Sequence, residues 1–566
     1  MISFGQFVRA TLAICLAAVM VRAQGPISGK PDANPTGTKN STGTIKVKPV
    51  PLETLPPGVQ AALNEVQQAL AAGRPKDAES AARRSVKVAP NSALAHNLLG
   101  IVLDQLGNSS DAEAEYRTAL RLQPGFVGAR NNLGNLDMRQ GKLTEAKAEF
   151  EAVLKTNPKH AQAHYNLATV LMEQKQFDAA AIHFAAARRI RGDDPEAMIA
   201  YADSAIRGKD PQLGIQAARE VIAKYPDDTR VQFMAGVLLL NAEQFQEALA
   251  ALKRADQLKP DSPEILYNLG VALYDLQRPD DAIQVLAKLA DMKPELSEAH
   301  YRLGLIASEK EDHDNAALEF KHAAERAPDN PELHFLLGRE HYQQGDWENA
   351  AKDFKKASEL DPMQPRYLLR LGNAQMKANN FPGATQAFER AAAVDAKTPD
   401  INFLIGYGYR TQGKFDESRR FLEKQLAITP DHLEAQANLG YILMEQGKIA
   451  EAMALLEKVV RKDPENINAS FDLGRAYVKE HKYDEAIDRL QKVIQASPDF
   501  TQAYYQLYLL YVRTKQQPKA DKMLAEFRRL EELDKQIKES QMRLEKTRRM
   551  RIEGITPVVT ETPPGQ

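Results

Sequence analysis

His160 and His164 lie one helical turn apart, a spacing that lets two imidazoles share a metal ion on one helix face. No glutamate or cysteine accompanies them in the pattern a zinc hydrolase needs. The chain also lacks a GxSxG elbow, a phosphate-binding loop and a dinucleotide fingerprint. Its acidic residues recur along helix faces and read as solvated surface. No catalytic residue, metal site, cofactor or small-molecule substrate is therefore expected. Two other sets suit recognition. Asn132, Asn166, Asn268 and Asn438 share one 34-residue register, and each amide both donates and accepts. Arg302, Arg339, Arg366, Arg370, Lys377 and Arg410 form a basic cluster whose forks and ammonium suit carboxylates. An acidic peptide segment is one expected ligand; neutralisation by Glu298, Glu332 and Asp400 is the other reading of the same residues.

The elements that position these residues follow from a period. Gly100, Gly134, Gly236, Gly270, Gly304 and Gly338 fall in one 34-residue register, with Ala168 and Ala202 filling its two gaps, and Pro90, Pro124, Pro158 and Ala78, Ala112, Ala146 keep the same period. Locked registers of this kind mean one small unit stacked many times. With Gly100 at position 8, fourteen units of 34 residues cover 59–534. Each reads as two antiparallel helices. In 93–126, Leu94, Leu98, Leu99 and Leu103 stripe the first helix, Gly107-Asn108 breaks it, and Pro124 ends the second. A small residue at position 8 and alanine at position 20 allow close helix approach. Glycine or asparagine at position 15 suits a left-handed helix end. The fold class is all-α, a solenoid of helix pairs.

These slots resemble the tetratricopeptide repeat, whose motif has Leu-Gly at 7 and 8, tyrosine at 11, alanine at 20 and proline at 32. Leu473-Gly474, Tyr477, Ala486 and Pro498 match closely, as do Leu133-Gly134, Ala146, Phe150 and Pro158. The resemblance implies a right-handed α-superhelix and a concave face lined by the first helices. In sugar-transferring enzymes that carry similar arrays, asparagines at position 6 grip peptide backbone, and here the ladder is fragmentary. Aromatics at positions 5 and 12, such as Tyr165, Tyr267, Phe335, Tyr342, Phe403 and Tyr505, either line that face or pack between helices. His96, His164, His300 and His334 fall at position 4, where the family places a bulky packing residue. The carboxylate clamp of some co-chaperone members is absent: Asn131, Asn135 and Asn166 begin it, but Glu196 and Ala200 follow. The least regular stretch is 190–216, where Gly192, Pro211, Gly214 and Ala218 break the pattern; weaker packing is expected there, tolerated or acting as a hinge.

The ends complete the organisation. Arg9, the apolar run from Ala10 to Val21, and the Val21-Arg22-Ala23 site read as a secretory signal over 1–23, cleaved after Ala23. Cys15 is the only cysteine, so the mature chain has no thiol. Residues 24–58 and 553–566 are polar and rich in proline or glycine, and read as a disordered linker and tail. Over 535–552 the last helix continues, with Leu530, Leu533, Ile537 and Leu544 as a thin seam that either caps the array or supports weak self-association. With 74 basic and 76 acidic residues, the balance gives no reason to expect nucleic acid. The expected function is a non-catalytic adaptor of the bacterial envelope, exported to the periplasm or associated with the envelope, that binds a partner's peptide or helix. The alternatives are an intracellular co-chaperone or regulator and a self-assembling structural rod.

Overall fold

Local signals start and stop each helix in the computed structural model, which describes residues 57–191 and 194–552. First helices open on polar caps: the Ser92 side chain accepts from the Ala95 amide, Asp228 from Arg230 and Val231, and Asn466 from Ala469. Proline supplies the first turn at Pro195, Pro263, Pro331 and Pro365, where its missing amide costs nothing. The same preference starts the first helix at Pro57, two residues ahead of the expected boundary. Twenty-eight helices and no strand are found among the described residues. The expected signal peptide (1–23), nearly all of the expected linker (24–58) and the expected tail (553–566) lie outside them.

The chain divides into an amino-terminal body ending at Pro294 and a carboxy-terminal body beginning at Glu295. Each is an all-α solenoid of seven consecutive helix pairs.

One turn design joins the two helices of a unit. In thirteen of the fourteen units position 15 has a φ between 58° and 82°. The next amide reaches back five residues, as from Asn108 to the Leu103 carbonyl (2.9 Å) and from Lys448 to Leu443 (2.8 Å). This is the Schellman closure, which satisfies carbonyls that a helix end leaves orphaned. Glycine occupies the left-handed site at Gly107, Gly141 and Gly413, as expected. Lys175, Glu243, Gln277, Glu311, His481 and Lys515 adopt it too, which their residue types do not announce.

Position 8 is small for a more specific reason than helix proximity. A Cβ on Gly134 would stand 2.8 Å from Phe150 Cε1, and one on Gly474 would stand 2.9 Å from Leu490 Cγ. The glycine makes room for the large residue at position 24 of its own unit. Those residues, including Tyr116, Phe150, Phe320, Phe354 and Phe388, are among the largest fully buried side chains. Alanines at position 20, among them Ala112, Ala146 and Ala384, are fully buried beside them.

The irregular unit 195–228 departs in a way the sequence reading did not anticipate. It lacks the left-handed turn: Gly208 is extended, and the Lys209 amide donates to Asp178 Oδ1 of the preceding unit (2.8 Å). Its small pair Ala202 and Ala218 replaces the glycine–aromatic pair, and the helices close up. A Cβ on Gly214 would meet Ala202 O at 2.6 Å and Ile206 N at 2.5 Å. Packing within this unit is tight, with Met198, Ile199, Ile215 and Val221 buried. This close approach lies within the unit, whereas the expected weakening concerned packing between units.

The last helix runs from Gln517 to Ile552. Leu530 is buried, whereas Leu533 and Ile537 are exposed; the Leu544 side chain lies outside the described set. No helix among the described residues is long and apolar enough to cross a membrane.

Candidate functional site

The asparagines at position 6 are spent on the protein itself. Asn268 is 3% exposed and donates to the Glu264 carbonyl of its own helix (2.8 Å). Asn166, 6% exposed, donates to Asn135 Oδ1 (2.7 Å) and Asn131 Oδ1 (3.3 Å) and accepts from Gln162 (2.7 Å). Asn132 donates to Asn97 (3.0 Å), and Asn438 donates to the Glu434 carbonyl (2.7 Å) while accepting from Arg410 (2.6 Å). The expected ladder is thus a set of inter-helix and intra-helix clips. A peptide backbone would gain nothing from Asn268 without breaking a buried bond.

The basic cluster divides in two. Arg302 is buried, its guanidinium 5.8 Å from the Tyr301 ring centroid. Arg339 is tied to Glu340, a fully buried carboxylate that also accepts from Ser308 (2.9 Å) and faces His313 Nδ1 (2.8 Å). Arg366 pairs with Glu332, touches the Tyr367 hydroxyl (3.0 Å) and covers the Phe335 ring. Arg410 lies over Tyr441, with its fork on Asn438. These four are structural. Arg370 and Lys377 remain. Both are exposed and make no hydrogen bond or ion pair among the described residues. They lie seven residues apart on Pro365–Lys377, two turns along one helix face.

Beside them is an open recess of about 250 Å³ lined by Tyr342, Asn373, Met376, Lys377, Phe388, Phe403, Leu404 and Tyr407. The first helices of three successive units supply all of these except Phe388. Its accessible wall is mostly apolar. The volume falls below the roughly 300–1,000 Å³ that encloses drug-sized ligands, and suits one large apolar side chain. Tyr342 is braced edge-on by Trp347 (centroids 4.8 Å) and Phe403 by the tilted ring of His432 (4.9 Å), so two walls are held in place. Sequence reasoning found Tyr342, Phe403 and Lys377 but not Asn373, Met376, Leu404 and Tyr407. Their positions 6, 9 and 12 were the only available signal.

Two other aromatics at position 5 pack inward: Tyr165 meets Phe184 edge-on (5.2 Å) and Phe335 meets Phe354 (5.6 Å), each the position-24 ring of its own unit; Tyr505 is exposed. Several position-4 residues cap the proline that ends the preceding unit. His96 reaches the Pro90 carbonyl (2.9 Å), His164 that of Pro158 (3.0 Å) and His334 that of Pro328 (2.9 Å). Arg130, Gln436 and Tyr504 make the same contact in their units. His160 caps the Ala163 amide (3.1 Å), so the His160/His164 pair is divided between two backbone tasks.

Family models described as tetratricopeptide repeat match residues 63–125, 131–195, 199–263, 239–306, 297–330, 409–470 and 443–508, and one described as TPR repeat matches 338–379. No curated protein matches the chain. Among solved structures, the APC/C hetero-tetramer Cut9-Hcn1 is 16% identical, covering 83% of this chain and 94% of that one, at a TM-score of 0.34. Yeast Tom70 is 16% identical over 75% of this chain and 96% of its own, with a TM-score of 0.29. A MamA fragment from Desulfovibrio magneticus RS-1 is 23% identical over 30% and 97%, with a TM-score of 0.28. None of these likenesses is close enough to carry a functional reading.

Proposed function

Because this chain belongs to the tetratricopeptide repeat family, a fold that typically serves as a non-catalytic protein-interaction scaffold, we propose that it holds an extended segment of a partner protein on the first-helix face of its carboxy-terminal body. A large apolar side chain of that segment fills the recess between Tyr342 and Tyr407, and a carboxylate within one or two residues meets Arg370 and Lys377. The observation that carries this reading is the conjunction of two uncommitted cations with an apolar recess, where every other member of the basic cluster is already engaged. Recesses and cations in a preformed array bind without a large ordering cost, since folding has already met it.

The test is fluorescence anisotropy with short labelled peptides that vary one aromatic and one acidic position. Acidic–aromatic peptides should bind the wild type best, and Arg370→Glu with Lys377→Glu should weaken them about tenfold, because two rim charges together contribute about 1–2 kcal/mol. Equal binding of basic and acidic peptides would count against the site.

The setting proposed for this scaffold is the bacterial envelope, after export and cleavage behind Ala23, on the strength of the charged and apolar pattern of the first 23 residues. N-terminal sequencing of the protein from its own cells decides it: Gln24 as the first residue supports export, and an intact Met1 in the cytoplasm refutes it.

A further inference from the structure

In the unit 297–330 three metal-ligating side chains occupy positions that face one another. His300 is at position 4 of the first helix, Ser297–Glu309, and Glu319 and His322 are at positions 23 and 26 of the second, His313–Arg326. Positions 4 and 23 are paired elsewhere, as His96 with Glu115 (2.5 Å) and Arg130 with Glu149 (2.7 Å). Position 26 is what sets this unit apart: the next two units have Lys356 and Arg390 there. Of the fourteen units, only this one places three metal-ligating side chains at positions 4, 23 and 26.

The geometry brings them together. His300 Nδ1 is 2.8 Å from Glu319 Oε2, and the rings of His300 and His322 meet edge-on with centroids 5.1 Å apart. One ligand atom from each residue lies within 4.8 Å of the other two. His300 is 8% exposed, and the other two are half-buried. Unlike His96, His164 and His334, His300 leaves Nε2 without a hydrogen-bond partner among the described residues. The 2.8 Å contact has His300 Nδ1–H donating to the Glu319 carboxylate; a metal ion bound at Nδ1 takes the place of that proton, which the unpartnered Nε2 then carries.

We propose that His300, Glu319 and His322 form a binding site for one divalent transition-metal ion of the zinc class. Two imidazoles and a carboxylate are a donor set that zinc accepts, at bond lengths of about 2.0–2.2 Å. At such bond lengths tetrahedral donor atoms stand about 3.4 Å apart, so the present cluster has to contract from its 4.8 Å span. Glu319 and His322 share one helix face and His300 comes from the facing helix, so the ion clips the two helices of one unit. Three protein ligands leave a coordination position for water.

Isothermal titration of zinc chloride into tag-free, chelator-stripped, full-length protein tests this. The wild type should bind one ion with Kd near or below about 10 µM. His322→Lys installs the residue type found in the following unit, so it should keep the helical circular dichroism of the wild type while binding at least tenfold more weakly. Glu319→Gln should weaken binding in the same sense. His183→Ala, which breaks the other close imidazole pair (His164 Nδ1 to His183 Nδ1, 2.9 Å), should leave the site intact. Undiminished affinity in His322→Lys, loss in His183→Ala alone, or no heat with the wild type up to about 1 mM zinc would each overturn the assignment.

Discussion

Asp137→Asn should stabilise the amino-terminal body at neutral pH and do almost nothing at pH 4. Asp137 is 1% exposed, its Oδ1 has no hydrogen-bond partner, and the nearest cation, Lys142 Nζ, is 4.0 Å from that oxygen. Burial first, and the negative charge of Glu113 second, push its carboxyl up to about 6. An unfolded aspartate titrates near 3.9, so the folded chain holds this proton more tightly. Folding stability from this group therefore rises as pH falls from above 6 toward 4, and the ionised form costs stability above 6. A shift of about two units at 1.36 kcal/mol per unit amounts to just under 3 kcal/mol, which solvent screening brings to on the order of 2 kcal/mol. Asparagine keeps the shape and removes the charge. Because repeat arrays need not unfold in one step, native-state hydrogen exchange of the helix Val127–Arg139, corrected for intrinsic rates, is the suitable assay. At pH 8 the variant's amides should open roughly thirtyfold less often than the wild type's, with the difference shrinking to nothing by pH 4. A gain equal at both pH values, or a loss at pH 8, would refute the reasoning.

Asp472, also raised to about 6 chiefly by burial although Arg475 lies 3.3 Å away, should show the same sign in the carboxy-terminal body, read by the same exchange experiment on Ile467–Lys479. At the left-handed turns, Glu243→Gly and Gln277→Gly should each raise local stability by about 0.5–1 kcal/mol, and Gly413→Ala should lower it by about 1 kcal/mol, since only glycine adopts that φ without strain. Urea midpoints of the three variants check the opposite signs. Gly134→Ala gains about 1 kcal/mol of helix propensity but forces Phe150 aside at 2.8 Å, a net loss of about 1 kcal/mol. In a Phe150→Ala background the same change should become neutral or favourable, as Ala202 opposite Ala218 already is; a double-mutant cycle with no coupling would remove the explanation.

The helix-pair fold was legible because three small or rigid residues per unit recur in register. Gly134, Ala146 and Pro158 announce a unit without help from their neighbours. What the pattern could not show was the reason for position 8, since Phe150 is its partner across the helix pair and not along the chain. Positive φ at Lys175 or His481 was hidden too, because the Schellman closure imposes it whatever side chain is present. The site was legible in outline only. Arg302 and Arg370 hold the same position 6, yet one is buried and the other is free, and only the neighbouring units decide which. Asn268 and Asn166 looked like ligands because residue type alone says nothing of who already holds the amide. His300, Glu319 and His322 escaped notice since nineteen residues separate the first two, and facing helices, not sequence spacing, bring them together.

The central claim is that a partner's acidic and apolar segment occupies the recess between Tyr342 and Tyr407. Replacing Asn373 with a photo-reactive benzophenone residue in the full-length protein, irradiating it in its own cells and sequencing the cross-linked peptide tests this most directly. The account predicts one recurring segment with a large apolar residue beside an aspartate or glutamate, captured far less when Arg370→Glu and Lys377→Glu are added. Segments without that pairing, or capture unchanged by the charge reversal, would contradict it.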